Sequence, residues 1–580
     1  MNSKTRYLVM TVITVITFIG LTGCKKNFLE PQPFTRYTPE QLQSQKGAEG
    51  LLVGAYGILD GQGISGASSW MVGATNWVYG DVVSDDAYKG TDANDQPQMT
   101  EIELWATQAA NTYFNYKWLS LYEGIARTND VIRVAEKVPE LSAADKTNYI
   151  AQARFLRGHF HFEAKRLWNK VPYVDEATTS YDNKTNAWPK IEADFKYAYD
   201  NLPAAQALVG KANKWAAASY LAKVYMYQKK FTEAKALYDV IIAQGQTSNS
   251  KKYDLQDQYW KNFDVAFENS AEAVFSQQTE ASGTITASAE TSYELAYPYG
   301  GVWGCCGFYQ PSQNLVNAFK TDANGLPFLD ESYNTTVLKN DEGILSSDLF
   351  ANDGTTPLDP RLDWTVGRRG VTYWDYGIHP GRNWIRDQGY AGPFSPKKHV
   401  SKNSDLGNFT NISNFRQTAK NYNIIRFADV LLMAAEAEIE AGSLETARSY
   451  INRVRNRAAN PTGFVPTPST GSTINPVIPI NYQIKLYTAP FADQATARKA
   501  VRFERRLELA MEGHRFFDLV RWGVAGDVLN AYWAVEKDRR TYKRGSAGFT
   551  KGKNEYYPIP NRLIDIATIA GNILEQNPGY

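Results

Sequence analysis

Two glutamates one helical turn apart, two histidines flanking a phenylalanine, a loop with five aspartates and a pair of adjacent cysteines are the residues whose types and spacing suggest chemistry. Glu508 and Glu512 stand in "RFERRLELAMEGHRFFDLVRWG" (502–523), and two carboxylates about 5–10 Å apart are the apparatus of glycoside hydrolysis. Arg505, Arg506, Arg515, Asp518 and Arg521 crowd the same segment, so ion pairs three and four residues apart account for both glutamates without a reaction. His159 and His161 in "RGHFHFEAK" point about 200° apart around a helix and cannot share one ion; they read as core or surface histidines. "GDVVSDDAYKGTDANDQ" (80–96) carries Asp81, Asp85, Asp86, Asp92 and Asp95 without the spacing and terminal glutamate of a calcium loop. It reads as a polar turn with helix-capping aspartates. There is no Gly-rich phosphate loop, HExxH or GxSxG elbow, and no convincing nucleophile. No metal site and no cofactor are expected, and calcium has no support.

The cysteines depend on the chain's address. Residues 1–24, "MNSKTRYLVMTVITVITFIGLTGC", run from Lys4 and Arg6 through an apolar stretch to Leu21-Thr22-Gly23-Cys24. This is a secretory signal over 1–23, too short for a comfortable membrane span. Its ending resembles the bacterial lipobox, which makes Cys24 a lipid anchor into the bilayer rather than a disulfide partner. Cys305 and Cys306, in "GVWGCCGFYQP" (301–311), are then the two remaining cysteines of the mature chain. In an oxidising exterior they are expected to form a vicinal disulfide, with Gly304 and Gly307 accommodating its backbone. The result is a stiff apolar knob bracing Trp303, Phe308 and Tyr309 against a ligand; the plainer reading is two reduced, buried cysteines.

Aromatic residues are 13% of the chain and formal net charge is +1. The charge balance argues against nucleic acid as a partner, and the Tyr and Trp content fits a binding face. "YWDYGIHPGRNWIR" (373–386) offers Trp374, Tyr376 and Trp384 as rings, with Arg382, Asn383 and Arg386 as donors. Sugars lay C–H faces on such rings and turn their hydroxyls toward such donors. Two or three rings at about 0.5–1.5 kcal/mol each place the expected affinity in the millimolar to high-micromolar range.

The elements that must position these residues are helices. In 214–245, Ala218, Leu221, Ala222 and Tyr225 and then Phe231, Ala234, Tyr238 and Ile241 form two helical faces. Small and large residues alternate as in a tetratricopeptide repeat. A degenerate copy occupies 428–458 through Leu431, Ala434, Ala435, Leu444, Ala447, Ile451 and Val454, and 146–168 and 498–522 are amphipathic. From about 246 to 420 the chain is rich in Gly, Asn, Asp, Ser, Pro and aromatics, and long irregular segments are usually functional. The expected organisation is a signal over 1–23, a helical region over 24–245, an aromatic ligand-binding insert over 246–420 and a helical region over 421–580. The fold class is mainly α, helix pairs with an irregular insert carrying little β.

"CKKNFLE" (24–30), "GDVVSDDAYKG" (80–90), "FLRGHFHFEAKRLWNKVPYV" (155–174), the 214–245 repeat, the 502–523 segment, "YYPIP" (556–560) and "NPGY" (577–580) together resemble the RagB/SusD family of Bacteroidetes surface lipoproteins. The resemblance implies a tetratricopeptide scaffold with an irregular ligand lobe, acting as a lid over a SusC-like TonB-dependent outer-membrane transporter. It also implies that Trp303, just before "PSQNLVNAF" (311–319), sits in a sugar-binding arc. The loop after the aspartate motif reaches the ligand in this family, which makes Tyr88 and Asp92 contacts. Lys25-Lys26-Asn27 departs from the acidic residues that follow the cysteine in many surface-exported relatives, so outward display is less firmly implied than anchoring.

The expected function is non-enzymatic capture of oligosaccharide or polysaccharide at the outer membrane. Peptide or glycopeptide capture on the same scaffold is the alternative, with "GRRG" (367–370) and Lys397-Lys398 keeping an acidic ligand open. A lipoprotein glycoside hydrolase and a helical-repeat assembly protein without a small ligand are the remaining readings.

Overall fold

Helix starts follow the side chains able to cap them. Ser142, Asn213, Ser443 and Asp493 each accept an N–H from the first turn of the helix that follows, satisfying donors that a helix end leaves open. The computed structural model describes residues 42–580, so the signal segment and Cys24 lie outside the described residues. Its longer helices are α1 (Gln45–Gly57), α2 (Thr112–Ala135), α3 (Ala143–Trp168), α4 (Trp188–Asn201), α5 (Lys214–Tyr227), α6 (Phe231–Gln244), α7 (Phe427–Ala441), α8 (Leu444–Ala458), α9 (Gln494–Leu509), α10 (Ala525–Arg539) and α11 (Asn561–Ile569). The chain is mainly helical, and none of the described helices is long and apolar enough to cross a membrane.

Successive helices pack on one another from α1 to α6, and α6 then packs directly on α7. The two repeats are therefore neighbours in space although the chain leaves after Gln244 and returns at Phe427. Ala216, Ala217, Ala218 and Ala222 of α5 and Ala434, Ala435 and Ala437 of α7 are buried; small side chains let the axes approach, and Tyr220 and Leu431 fill the space between.

The excursion is closed at its neck by an antiparallel ribbon. Strand β2 (Ala273–Gln277) pairs with β4 (Tyr422–Arg426), with Ala273 opposite Arg426 and Phe275 opposite Ile425. A second ribbon pairs β1 (Ala87–Gly90) with β3 (Phe308–Pro311) and ties the excursion to the N-terminal helices. Two further ribbons, Glu280–Ser282 with Ile285–Ser288 and Val366–Gly367 with Ser395–Pro396, complete the strand pairs of the described residues.

A buried ion network joins the neck to the helices. Arg426, the last residue of β4, reaches Glu272 at 3.0 Å, Glu508 at 2.5 Å and Glu512 at 2.8 Å. Arg457 of α8 binds Glu508 and, at 3.2 Å, Glu272. Arg361 of the excursion binds Asp359 at 2.7 Å, Glu504 at 2.7 Å and Glu508 at 3.0 Å. Arg455 binds Glu504 at 2.8 Å and Lys398 binds Glu512 at 2.7 Å. Five carboxylates face five cations, so the cluster is neutral although every member is buried.

This corrects the local pairing expected for 502–523. The partners of Glu508 and Glu512 come from β4, α8 and the excursion, because α9 is packed on several sides and its carboxylates have no solvent to face. Arg505 instead binds Asp429 and Asp518, and Arg506 binds Asp85 and Asp86. The histidines are core residues. Val174 N–H donates to His161 Nε2 at 3.0 Å, leaving Nδ1 to donate to the Arg157 carbonyl, and His159 Nδ1 bonds Tyr220 Oη at 2.6 Å. Burial lowers the pKa of His159 to about 4 and that of His161 to about 3.

Burial pushes the Glu508 carboxyl toward its neutral form, but Arg457, Arg426 and Arg361 outweigh it and hold the group well below the usual range. Removing one member of such a cluster leaves the opposite charges buried and unpaired, a loss of about 3–5 kcal/mol. Glu508→Gln is therefore expected to lower unfolding free energy in guanidinium titrations by that order; a change under about 1 kcal/mol would contradict this account of the network.

Candidate functional site

The site is built where the chain reverses at Gly300-Gly301. Both glycines have positive φ, 83° and 58°, and a Cβ on Gly301 would lie 3.1 Å from the Trp384 indole nitrogen, so a glycine serves this close approach. The turn leaves Tyr299 37% and Val302 48% exposed. Trp384 is half-buried beside them, its carbonyl accepting the Tyr299 N–H at 3.0 Å.

Trp384 is held in place from below. Its ring meets Trp303 at 5.1 Å, Tyr373 at 5.3 Å and His379 at 5.0 Å, each edge to face. Tyr376, also half-buried, meets Trp303 at 4.7 Å. These contacts fix the ring planes, so a ligand stacking on them would meet groups already ordered.

Charge lines one edge. Arg386 binds Asp92 and Asp95, each at 2.7 Å, and donates to Thr91 Oγ1 at 2.9 Å. Its guanidinium also sits 5.6 Å from the Tyr299 ring centroid. The Lys89 ammonium donates to the Asp92 and Asp95 carbonyls at 2.8 and 2.7 Å, holding the acidic loop in its turn. Slight burial raises the Asp92 pKa, but the Asn94 and Asp95 N–H groups and Arg386 outweigh it and hold the carboxyl below its ordinary value.

Cys305 and Cys306 are joined by a disulfide across a cis peptide bond. Cys305 is half-buried, whereas Cys306 is buried with its sulfur 3.1 Å from an Arg416 guanidinium nitrogen. The following Gly307 has φ 79°, and a Cβ there would meet the Cβ atoms of Tyr299 and Arg386 at 3.3 and 3.6 Å. The disulfide loop thus closes against the ledge formed by Tyr299, Val302, Trp384 and Arg386.

Of the residues expected to touch a ligand, Trp384, Tyr376, Arg386 and Asp92 are partly accessible. Four others are not. Tyr309 is buried with its hydroxyl on Asp81, and Tyr88 is buried with its hydroxyl 2.5 Å from Glu536, its ring between Arg540 and Lys543. They lie on the paired strands β3 and β1 inside the core, which corrects their assignment as contacts. Trp303 is 6% and Trp374 8% exposed; Trp374 donates to the Lys397 carbonyl at 3.0 Å and packs on Trp364 at 5.1 Å. Trp303 supports the ledge from beneath, and Trp374 belongs to the same buried aromatic cluster.

Asp85 and Asp86 of the aspartate motif are not helix caps, whereas Asp81 meets the N–H that opens the helix Arg515–Arg521. Asp85 binds Arg506 and Arg515, Asp86 binds Arg506, and Asp81 accepts the Gly513 and Arg515 N–H groups. The cations proposed for an acidic ligand are also engaged internally. Arg368 binds Asp363 at 2.6 Å, Arg369 donates to Asn475 and backbone carbonyls, and Lys397 donates to the Asp363 and Thr372 carbonyls. Tyr299, Val302 and Asp95 were absent from the expected contacts; the Gly300-Gly301 turn in "YPYGGVW" was the available signal.

A family model described as "SusD family" matches residues 271–580, and one described as "Starch-binding associating with outer membrane" matches 28–226. The chain belongs to the SusD family. It is 23% identical over 589 residues to a SusD-like protein of Formosa agariphila, covering 99% of this chain and 100% of that one. Surface glycan-binding protein A from Bacteroides thetaiotaomicron superposes with TM-score 0.67 at 20% identity, over 93% of this chain and 99% of that one. The same protein in complex with laminarihexaose gives TM-score 0.60 at 19% identity, over 92% and 99%.

The buried contact between Asp81 and Tyr309 sets a pH dependence. Burial, with Asp86 adding to it, raises the Asp81 pKa to about 7 against hydrogen bonds that lower it. The folded state therefore holds this proton more tightly than the unfolded chain. Its contribution to stability is complete below the unfolded value of about 4 and is lost as pH rises through 7. Asp81→Asn is expected to flatten the fall in melting temperature between pH 4 and 7; an unchanged slope would contradict the assignment.

Proposed function

We propose that this chain is a non-catalytic glycan-binding protein. Acyl groups on Cys24 tether it to the outer membrane, and it passes its ligand to a SusC-like TonB-dependent transporter. The observation carrying this reading is the ledge: Tyr299, Trp384 and Tyr376 offer ring surface, while Arg386, Asp92 and Asp95 offer planar hydrogen-bonding groups at its edge. Sugars need both at once, because their C–H faces are apolar and their hydroxyls polar. The family model described as starch-binding and the relative solved with laminarihexaose support a saccharide ligand. The internal engagement of Arg368, Arg369, Lys397 and Lys398 removes the main support for an acidic peptide.

Hydrolysis is not served by the paired glutamates. Glu508 and Glu512 are buried and held ionised, Glu508 by guanidinium groups and Glu512 by Arg426 and the Lys398 ammonium, so neither has a proton to give or access to a glycosidic oxygen. Shallow ring contacts give weak binding, which suits a protein that must release its ligand, and repeated units of a polysaccharide compensate through multivalency.

Trp384→Ala removes a ring worth about 1–1.5 kcal/mol and is expected to weaken binding about fivefold to tenfold. Affinity electrophoresis against a panel including laminarin, followed by calorimetry, measures this. Affinity equal to wild type for a glycan that binds would contradict the ledge as the site.

A further inference from the structure

A second concavity opens where the chain enters the excursion, between residues 254–257 and the end of α8. It encloses about 560 Å³ and is lined by Asp254, Gln256, Arg453, Asn456, Arg457 and Asn460, with Leu255, Ala459 and Pro461 as its apolar parts. Its charges are matched. Asp254 meets Arg453 at 3.2 Å, the carboxylate exposed and the guanidinium partly so, and Asp257 is held by Lys261 at 2.8 Å. Asn456 is exposed, and its amide makes no hydrogen bond among the described residues. Arg457 is buried with both terminal nitrogens on Glu272 and Glu508, while its Nε–H has no acceptor among the described residues.

The walls are stiff. Asn460 donates to the Asp257 carbonyl at 3.2 Å and Gln258 to Thr462 Oγ1 at 3.0 Å, clamping the two sides together. Trp364 donates to the Gly463 carbonyl at 2.7 Å and packs on Trp260 at 5.7 Å and on Trp374 at 5.1 Å. Trp374 and the Trp303 that braces the ledge belong to one aromatic cluster, so the groove and the ledge lean on the same rigid bed.

We propose that this groove is a second saccharide site, taking a neutral segment of the same glycan that the ledge holds. A carboxylate, a guanidinium and a free amide converging on small apolar patches match vicinal hydroxyls over C–H faces. The neutral balance disfavours an anionic occupant. The absence of an aromatic ring from the lining makes it the weaker of the two sites. The inference rests on the glycan-binding reading, and two contacts on one polymer raise retention without strengthening either.

The test is affinity electrophoresis of the full mature chain in gels containing laminarin, pullulan, xylan or mixed-linkage glucan. Four forms are compared: wild type, the ledge variant Tyr299→Ala/Trp384→Ala, the groove variant Asp254→Ala/Arg453→Ala/Asn456→Ala, and their combination. Asp254 and Asn456 are exposed, Arg453 is partly so with its guanidinium over the Phe427 ring, and the solvated ion pair contributes little to stability, so melting temperature serves as the folding control. The expected result is a loss of retardation of about threefold to tenfold in each variant and complete loss in the combination. A groove variant retarded like wild type beside a ledge variant that is not retarded overturns the groove and leaves the ledge. The reverse pattern overturns the ledge and leaves the groove, and wild type retarded by no glycan overturns both.

Discussion

Glu508 accepts from three guanidinium groups that come from three different parts of the chain, and the rest of the architecture depends on that meeting. Arg426 ends the returning strand, Arg457 lies on the next helix pair and Arg361 belongs to the excursion. A buried carboxylate is costly unless its partners are in place, so the helical array, the neck and the irregular lobe are fixed relative to one another together. A glutamine of the same shape cannot do this, because the cations would remain without a counter-charge. Such clusters are poor evidence for stability in themselves; here the cluster specifies how a segment with few regular elements sits on its scaffold.

That specification carries through to the ledge. The neck ribbon and the β1–β3 ribbon bring residues 299–308 against 384–386 and 91–95, three stretches distant in sequence. The aromatic cluster beneath them fills the lobe in place of helices. Rings packed edge to face need no regular backbone, which is how a segment rich in Gly, Asn and Pro can still hold the half-buried Trp384 and Tyr376 rings in fixed geometry. On the proposed function, binding at this ledge would require little reorganisation, and weak contacts would suffice on a repeating ligand.

The helix pairs were legible in the sequence because periodicity is local. Ala218, Leu221, Ala222 and Tyr225 declare a face within two turns, and the structure buries Ala218, Leu221 and Ala222 deeply. The adjacency of α6 and α7 was not legible, since the chain leaves between them and nothing local records its return. In the candidate site, Trp384 and Arg386 could be picked out by residue type and spacing, and Asp92 only through the family resemblance. Tyr88 and Tyr309 could not be told from contacts, because every residue of their two paired strands is buried by segments distant in sequence, which no local pattern records. The aspartates of 81–86 read as a turn because their cationic partners, Arg506 and Arg515, lie more than 400 residues away.

The central claim is that a preformed ledge, and not the helical face or the buried carboxylates, receives the ligand. Hydrogen exchange read by mass spectrometry, with and without a saturating glycan, tests it most directly. The account predicts slower exchange in 297–308 and 382–389 with no change along α9. Unchanged exchange in both ledge segments, with ligand demonstrably bound, would contradict it.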